Sequence, residues 1–185
     1  MKERRIVLVR HGRSAHVHAG WIDYTGFLRW RETYEAAGID PREVPPPELQ
    51  QVAATAGLLL ASDAPRAIES ARLLAPGAEV TVSPLLRELE LTPPNLGRMR
   101  LPLAGWALVF GVRMLRHPLV SPAEKERAQT VATWLATLTE QHGTIVVLTH
   151  HSFRSLLAKT LTADAWQATL PRRRSSHWSI WSFAR

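Results

Sequence analysis

Two stretches of the chain end in a histidine after a run of aliphatic residues. They are RIVLVRHG (residues 5–12) and TIVVLTHH (residues 144–151), and each has four aliphatic residues and one polar residue before its first histidine. The pattern predicts two buried parallel strands. These strands carry His11 and His150 to the carboxyl edge of a sheet, where open α/β sheets bind their ligands. The helix after each strand directs its first N–H groups at the same crevice, which favours an anion.

Three more polar residues are expected at this edge. Arg10 directly precedes His11. Arg66 lies in SDAPRA, where a predicted helix follows a short strand, so its side chain starts from the first helical turn. Glu88 lies in LLRELE, after a third strand candidate that ends near Ser83. The expected set is therefore two arginines, two histidines and one carboxylic acid.

This set is suited to the transfer of a phosphoryl group. Arg10 and Arg66 neutralise the group and hold its oxygens, while a neutral imidazole attacks phosphorus and forms a covalent phosphohistidine. The second histidine, if protonated, adds charge and a donor. Glu88, when protonated, gives its proton to the leaving alkoxide and later activates water. No step requires a metal, and no ligand cluster with metal spacing is evident, so no cofactor is expected.

The elements that must position these residues alternate along the chain. Strands are predicted at 5–10, 58–61, 80–82 and 144–150, with a weak last strand at the sheet edge within HWSIWSFA (177–184). Helices are predicted at 27–37, in a segment ending near 56, at 65–75, at 121–142 and from about 152. The alternation predicts a three-layer α/β/α architecture with a mostly parallel central sheet.

Length and composition set further bounds. At 185 residues the chain is expected to be one domain, 1–185, with an insert at about 90–120. The formal charge of +7 comes mostly from arginine, which is compatible with an anionic ligand or with a solvated surface. The absence of cysteine fits a reducing compartment, and no secretory signal or membrane span is recognised. A cytoplasmic protein without a membrane partner is expected.

Four motifs occur in the order typical of one superfamily. They are Arg10-His11-Gly12, SDAPRA, LRE and a strand followed by Thr149-His150. On these residues, over roughly 4–160, the chain resembles the histidine phosphatase superfamily, also called phosphoglycerate mutase-like, and its compact phosphatase branch in particular. The resemblance implies that His11 is the nucleophile and phosphohistidine carrier and Glu88 the proton donor. It also implies a phosphate pocket formed by Arg10, Arg66 and His150.

The segment after His11 departs from the superfamily pattern. Arg13 stands where Glu or Gln is common, and Val17 stands near a frequent Asn that contacts phosphate. His16 and His18 are candidates to replace that contact, and a surface position is the alternative for both. A glycine at position 12 lets the backbone turn close to a ligand. The substrate contacts expected here are Gly12, Arg13 and Ser14.

Two assignments in the expected site have rivals. His151 occupies the usual glycine position after the second histidine, so it is a further candidate for substrate contact. Because the two histidines are adjacent, it is also an alternative to His150 as the pocket residue, although the strand comparison favours His150. Glu90 is a minor rival to Glu88, because ELELTPPN lacks the common Gly-rich continuation after the acid.

The sequence favours a phosphatase over two alternatives. A phosphoglycerate mutase-like phosphotransferase needs extra lid segments that exclude water, but only about thirty residues lie between the acid and the last long helix. The expected substrate is therefore a phosphorylated small molecule or a phosphoprotein. The second alternative is a catalytically silent module that binds an anion or nucleic acid. LPRRRSSHWSIW interleaves basic and aromatic residues, which is only a weak cue, so a nucleic-acid partner is not expected.

Two segments are candidates to set the substrate. Residues 20–30 are rich in aromatic side chains, and Trp21 and Trp30 either line the pocket mouth or belong to the core. The stretch WALVFGVRML (106–115) is either a lid with an apolar underside or the interface of a homodimer. A second anionic group of the substrate could be held by the basic residues of the insert, Arg98, Arg100, Arg113, Arg116 and His117.

Overall fold

A computed structural model describes residues 4–16, 20–90, 93–116, 120–169 and 176–185, with side chains except at 114–116. Six strands are present: β1 (Arg5–Arg10), β2 (Leu58–Ser62), β3 (Val80–Ser83), β4 (Thr144–Thr149), β5 (Gln167–Ala168) and β6 (Ile180–Ala184). The helices are α1 (Tyr24–Ala36), α2 (Pro47–Ala54), α3 (Pro65–Leu74), α4 (Leu103–Arg116), α5 (Pro122–His142) and α6 (His151–Ala163). A single 3₁₀ turn, Pro84–Leu86, follows β3.

All six strands form one sheet in the order β3-β2-β4-β1-β6-β5. The four strands from β3 to β1 are parallel, whereas β6 and β5 run antiparallel to their neighbours. Strands β1 and β4 are paired in register from Arg5 opposite Thr144 to Arg10 opposite Thr149. The residue that directly follows each strand is therefore a histidine, and the carboxyl ends of the two strands place both histidines side by side.

The sheet is the middle layer of three. Along β1, Ile6 and Leu8 pack in one apolar cluster with α5 and α6, while Val7 and Val9 pack in another with α2 and α3. This alternation follows from the two-residue period of a strand, whose successive side chains point to opposite faces. The predicted α/β/α architecture with a mostly parallel sheet is confirmed.

The start of α1 and the place of β6 in the sheet differ from the predictions. Helix α1 begins three residues earlier than expected, because the Asp23 carboxylate accepts the N–H of Gly26 at 2.8 Å and caps the first turn. The prediction of β6 as an edge strand is wrong. It lies between β1 and β5, and the two-residue β5 forms the edge. A strand that short leaves no periodic pattern in the sequence.

The expected insert packs against the segment that follows the first histidine. Trp106 of α4 is fully buried, stacks on Phe27 of α1 at 4.8 Å between ring centroids, and donates its indole N–H to the Ile22 carbonyl at 3.1 Å. Trp30 stacks on the neighbouring Tyr34 ring and is half-buried, whereas Trp21 is 60% exposed. Of the two tryptophans, only Trp30 therefore belongs to an aromatic cluster.

Candidate active site

His11 is held in the tautomer that a nucleophile requires. It is only 2% exposed, and its backbone N–H donates to the Thr149 carbonyl at 3.1 Å. Its Nδ1 lies 2.7 Å from the Gly12 carbonyl oxygen, which can only accept, so Nδ1 carries the proton and Nε2 has a lone pair. Burial, followed by the charge of Arg66, lowers the pKa of His11 to about 3. The ring is therefore neutral near pH 7 and ready to attack an electrophile.

His150 is the second histidine of the site, and it is also held neutral. Its ring centroid is 5.0 Å from that of His11, and the residue is buried. Nδ1 accepts from Arg66 Nη2 at 3.3 Å, so Nε2 carries the proton and donates to Ser62 Oγ at 2.9 Å. Burial is the main cause that lowers the pKa of His150 well below its usual value. It supplies a hydrogen-bond donor here but no positive charge.

His151 and Gly12, the residues that follow the two histidines, have different surroundings. His151 is the first residue of α6 and is exposed, so the histidine that lies against His11 is His150. The Gly12 N–H donates to Ser70 Oγ at 2.9 Å. A Cβ at Gly12 would lie 2.7 Å from the Trp178 ring, so the close approach of that indole requires glycine here.

The sequence predicts Arg13 and Ser14 as substrate contacts. In the structure both bond to neighbouring residues away from the histidine pair. The Arg13 N–H donates to Glu43 Oε2 at 2.8 Å and its side chain is largely exposed. Ser14 is buried, bridges to Ile39, and accepts the His16 N–H at its Oγ. None of these contacts reaches the two buried histidines. The ring of His16 lies 5.8 Å from that of Trp30, while His18 and Val17 are outside the described residues.

The two arginines of the expected phosphate pocket occupy different surroundings. Arg10 ends β1 and is half-buried, and this burial is the main cause that lowers its pKa. Arg66 is 1% exposed, and its Nη1 donates to the Tyr34 carbonyl at 3.0 Å while Nη2 donates to Glu35 Oε2 at 3.0 Å. Its Nε has no partner among the described residues. A bound phosphoryl group must therefore compete with the Glu35 carboxylate or bind at Nε.

Replacing Glu35 by glutamine is expected to tighten the binding of inorganic phosphate by about threefold to tenfold. An amide is a weaker partner for Arg66 than a carboxylate, and the change removes one negative charge from the site. The measurement is the inhibition constant of phosphate against hydrolysis of p-nitrophenyl phosphate. Glu32→Gln, one turn earlier on α1 and exposed, is the matched control. Unchanged or weaker inhibition in Glu35→Gln contradicts the competition between Glu35 and phosphate.

Glu88 is fixed at the amino end of α6. Its Oε1 accepts the N–H groups of Leu89 at 3.0 Å and Phe153 at 2.8 Å, and its Oε2 accepts that of Ser152 at 3.1 Å. Because Oε2 takes only one of the three bonds, it keeps a position for a proton. The rival acid, Glu90, is exposed, and its backbone N–H donates to Glu124 Oε1 at 3.2 Å.

An open cleft of about 830 Å³ reaches His150, the second histidine of the pair. His150 forms part of its wall, as do Glu88 and Glu90. Half of the other lining residues are charged: Arg31, Glu35, Asp63, Arg87, Glu124 and Arg127. The arrangement brings a buried neutral imidazole, a fixed carboxyl group and a space for an organic group to one edge of the sheet.

The structure adds a residue that the sequence did not single out for the site. The His177 ring centroid lies 5.8 Å from that of His11. It is there because β6 runs antiparallel and so begins at the carboxyl edge, where Trp178 N–H donates to the Arg10 carbonyl at 3.0 Å. The Trp178 indole N–H donates to Glu43 Oε2 at 2.6 Å and fixes the segment further. Nothing local in the sequence marks this position; only the strand order reveals it.

This segment belongs to LPRRRSSHWSIW, the stretch with the weak nucleic-acid cue. Its basic part, residues 170–175, lies outside the described residues. In the described part, Arg154 of α6 donates to the Ser179 carbonyl at 2.6 Å and lies 4.0 Å over the Trp181 ring. Both tryptophans of the motif, Trp178 and Trp181, are buried. They are therefore not surfaces on which bases can stack.

The buried histidines make stability depend on pH. Burial is the first cause that lowers the pKa of His177, to about 4, as it does for His11 and His150. In the unfolded chain these rings take protons near pH 6.5, so stability is full above that pH and falls as the pH drops towards 4. We expect His177→Gln to lose less stability than the wild type between pH 6.5 and 4.

Urea unfolding at pH 7, 5 and 4 measures this difference. His142→Gln serves as the control, because His142 ends α5 at the opposite edge of the sheet. Equal declines in the wild type and in His177→Gln would show that His177 is not held neutral in the folded protein.

Two general features can be stated for the described part of the chain. It contains no group of three or more His, Cys, Asp or Glu residues arranged to hold a metal ion. None of its helices has the length and apolar character needed to cross a membrane.

Comparison with known structures relates this fold to phosphatases. The ecdysone phosphate phosphatase of Bombix mori is 14% identical with a TM-score of 0.57, over 97% of this chain and 88% of that one. A mycobacterial glucosyl-3-phosphoglycerate phosphatase is 20% identical with a TM-score of 0.57, over 97% and 92%. The phosphoserine phosphatase of Entamoeba histolytica is 17% identical with a TM-score of 0.53, over 98% and 97%.

At these identities the likeness is one of fold. No protein-family model matches the sequence, and no curated protein matches it. The similar structures cover almost the whole chain. The chain therefore shares its fold with these phosphatases, in agreement with the phosphoglycerate mutase-like architecture expected from the sequence.

Proposed function

We propose that the protein is a metal-independent phosphatase that hydrolyses a phosphomonoester through a phosphohistidine on His11. The observation that carries this proposal is the buried ring of His11, whose Nδ1–H donates to the Gly12 carbonyl and leaves Nε2 unprotonated. Arg66 and His150 stand beside it, and Glu88 faces the adjoining cleft. The phosphatases among the structures with this fold agree with the proposal.

In the first step the phosphoryl group enters beside Arg10 and Arg66, whose charges offset its own. The lone pair of His11 Nε2 forms a bond to phosphorus, and the bond from phosphorus to the ester oxygen breaks. Glu88 enters this step as a carboxylic acid and gives its Oε2 proton to the leaving alkoxide. The products are a free alcohol, a Glu88 carboxylate and phosphorylated His11.

In the second step the Glu88 carboxylate removes a proton from water in the cleft that the alcohol has left. The water oxygen attacks phosphorus, the bond from phosphorus to Nε2 breaks, and inorganic phosphate is released. The proton now on Glu88 restores the starting state. His150 lies beside His11 as a neutral ring, with its Nε2–H donated to Ser62 Oγ.

The direct test is hydrolysis of p-nitrophenyl phosphate without added metal and with EDTA. We expect phosphate release. With labelled substrate and rapid quenching, we also expect a labelled phosphohistidine that is labile in acid and stable in alkali. Label that passes to a hydroxyl of a second substrate rather than to water would identify a mutase. Binding of nucleic acid that weakens steeply with salt, together with no hydrolysis, would identify a silent module.

Partners and location complete the proposal. The comparison phosphatases are named for ecdysone phosphate, glucosyl-3-phosphoglycerate and phosphoserine, which supports a phosphorylated small molecule, with a phosphoprotein as the alternative. A chain without cysteine fits the reducing cytoplasm. On α4, Leu108 is 68% exposed, which supports a homodimer through this helix; light scattering tests it.

A further inference from the structure

We propose that the alcohol part of the substrate carries no second negative charge, and that it is neutral or bears an ammonium group. This inference rests on the proposed phosphatase function, because it assigns the open cleft beside His150 and Glu88 to the leaving group. Three properties of the cleft support it: Arg87 and Arg127 in its wall are engaged, its carboxylates are in excess, and the described arginines of the insert do not line it.

The arginines with described bonds hold the cleft wall together. Arg87 donates from Nε to Asp63 Oδ1 at 2.7 Å, and its Nη2 also bonds that carboxylate. Arg127 donates from Nε to Glu124 Oε2 at 2.8 Å and from Nη1 to the Leu85 carbonyl at 2.7 Å. A second phosphate or carboxylate of the substrate would have to break these bonds to gain a bidentate partner.

The charges that line the cleft leave an excess of acid. Three lining residues are arginines and five are carboxylic acids: Glu35, Asp63, Glu88, Glu90 and Glu124. Carboxylates outnumber arginines by two when Glu88 is ionised and by one when Glu88 carries the catalytic proton. Glu90 is exposed, and the Glu35 side chain is 51% exposed, so both carboxylates meet the solvent that a ligand replaces. An added anion is repelled there, whereas an ammonium group is attracted.

The basic residues of the insert do not change this balance. Arg98, Arg100 and Arg113 are not part of the cleft lining. Arg100 donates from both Nε and Nη2 to the Trp21 carbonyl, at 3.2 and 2.9 Å, and so fastens the insert to the segment before α1. The side chain of Arg116, and His117 as a whole, lie outside the described residues. The described arginines that the sequence offered for a second anion therefore do not line the cleft.

The inference is tested with three phosphomonoesters of two-carbon alcohols that differ in one terminal group. They are 2-aminoethyl phosphate with an ammonium, 2-hydroxyethyl phosphate with a hydroxyl, and phosphoglycolate with a carboxylate. The inhibition constant of each against hydrolysis of p-nitrophenyl phosphate reports binding without the effect of leaving-group acidity. We expect phosphoglycolate to bind about threefold to tenfold more weakly than the hydroxyl ester, and the ammonium ester at least as tightly.

Charge reversal at the cleft shows whether its wall causes the preference. Glu90→Lys is expected to shift the ratio of the phosphoglycolate and hydroxyl-ester constants by about threefold or more towards phosphoglycolate. Glu79→Lys makes the same change of net charge at an exposed position just before β3. This position lies at the amino-terminal ends of the parallel strands, away from the cleft, so the ratio should stay unchanged.

Each outcome separates the inference from the function on which it rests. If p-nitrophenyl phosphate is hydrolysed but phosphoglycolate binds as tightly as the hydroxyl ester, the inference is overturned and the phosphatase remains. An equal shift of the ratio in both lysine variants also overturns it, because net charge rather than the cleft is then responsible. If neither hydrolysis nor phosphohistidine is found, the proposed function fails and the inference falls with it.

Discussion

Replacement of His11 by alanine is expected to reduce phosphate release by about 10³-fold or more. The variant has no atom in place of Nε2 to accept the phosphoryl group, and the neighbouring His150 already has its Nδ1 engaged with Arg66. The measurement is hydrolysis of p-nitrophenyl phosphate in EDTA, with quenched samples examined for phosphohistidine.

His142→Ala is the matched control for this variant, because it removes a histidine at the opposite edge of the sheet. Its activity should equal that of the wild type. Added imidazole should restore part of the activity of His11→Ala by taking the place of the lost ring. Wild-type rates in His11→Ala, or labelled phosphohistidine in that variant, would assign the nucleophile to another residue.

Replacement of Glu88 by glutamine is expected to slow hydrolysis of alkyl phosphates by about 10²–10⁴-fold, and hydrolysis of p-nitrophenyl phosphate far less. An alkoxide must be protonated as it leaves, whereas p-nitrophenolate leaves without a proton. Since the acid must be protonated, wild-type turnover of alkyl phosphates should also peak below neutral pH, and the variant should lose this dependence. Rates with glycerol phosphate and p-nitrophenyl phosphate across pH provide the test.

Glu88→Gln also changes the structure around it, so a stability control is needed. The glutamine amide places an NH₂ group against one of the three N–H donors that the carboxylate now accepts. Melting temperatures of Glu88→Gln and Glu90→Gln show how much of any loss comes from unfolding. Equal losses on both esters in folded Glu88→Gln, or the same selective loss in Glu90→Gln, would contradict proton donation by Glu88.

The part of this architecture that depends on local sequence patterns could be predicted. Strands β1 and β4 are short apolar runs, and the position of a histidine after each run is enough to bring His11 and His150 together once the strands are parallel. Helix α5 was recognisable from Ser121, whose hydroxyl accepts the Glu124 N–H at 3.2 Å. These features need only neighbouring residues, so a single sequence is sufficient to find them.

The rest depends on contacts between distant segments. His177 reaches His11 only because β6 pairs with β1 in the antiparallel direction, and the weak alternation of the segment does not reveal that direction. The bond between Arg66 and Glu35 joins α3 to the end of α1, which no spacing in the sequence indicates. The apolar run of α4 does not by itself predict a helix, because apolar side chains occur on both its buried and its exposed side and so blur its period.

The strand that carries His11 has both of its neighbours far along the chain. Arg5 pairs with Thr144 on one side and with Ala184 on the other, so each pairing joins residues more than 130 positions apart. Closing such long loops is slow, because the entropy is lost before the contacts form. During synthesis β1 is made before β4 and β6, so both of its edges stay unpaired until those strands are available. The sheet edge that bears His11 and His150 is therefore complete only once β4 and β6 have been made, and until then the unpaired edges of β1 favour aggregation.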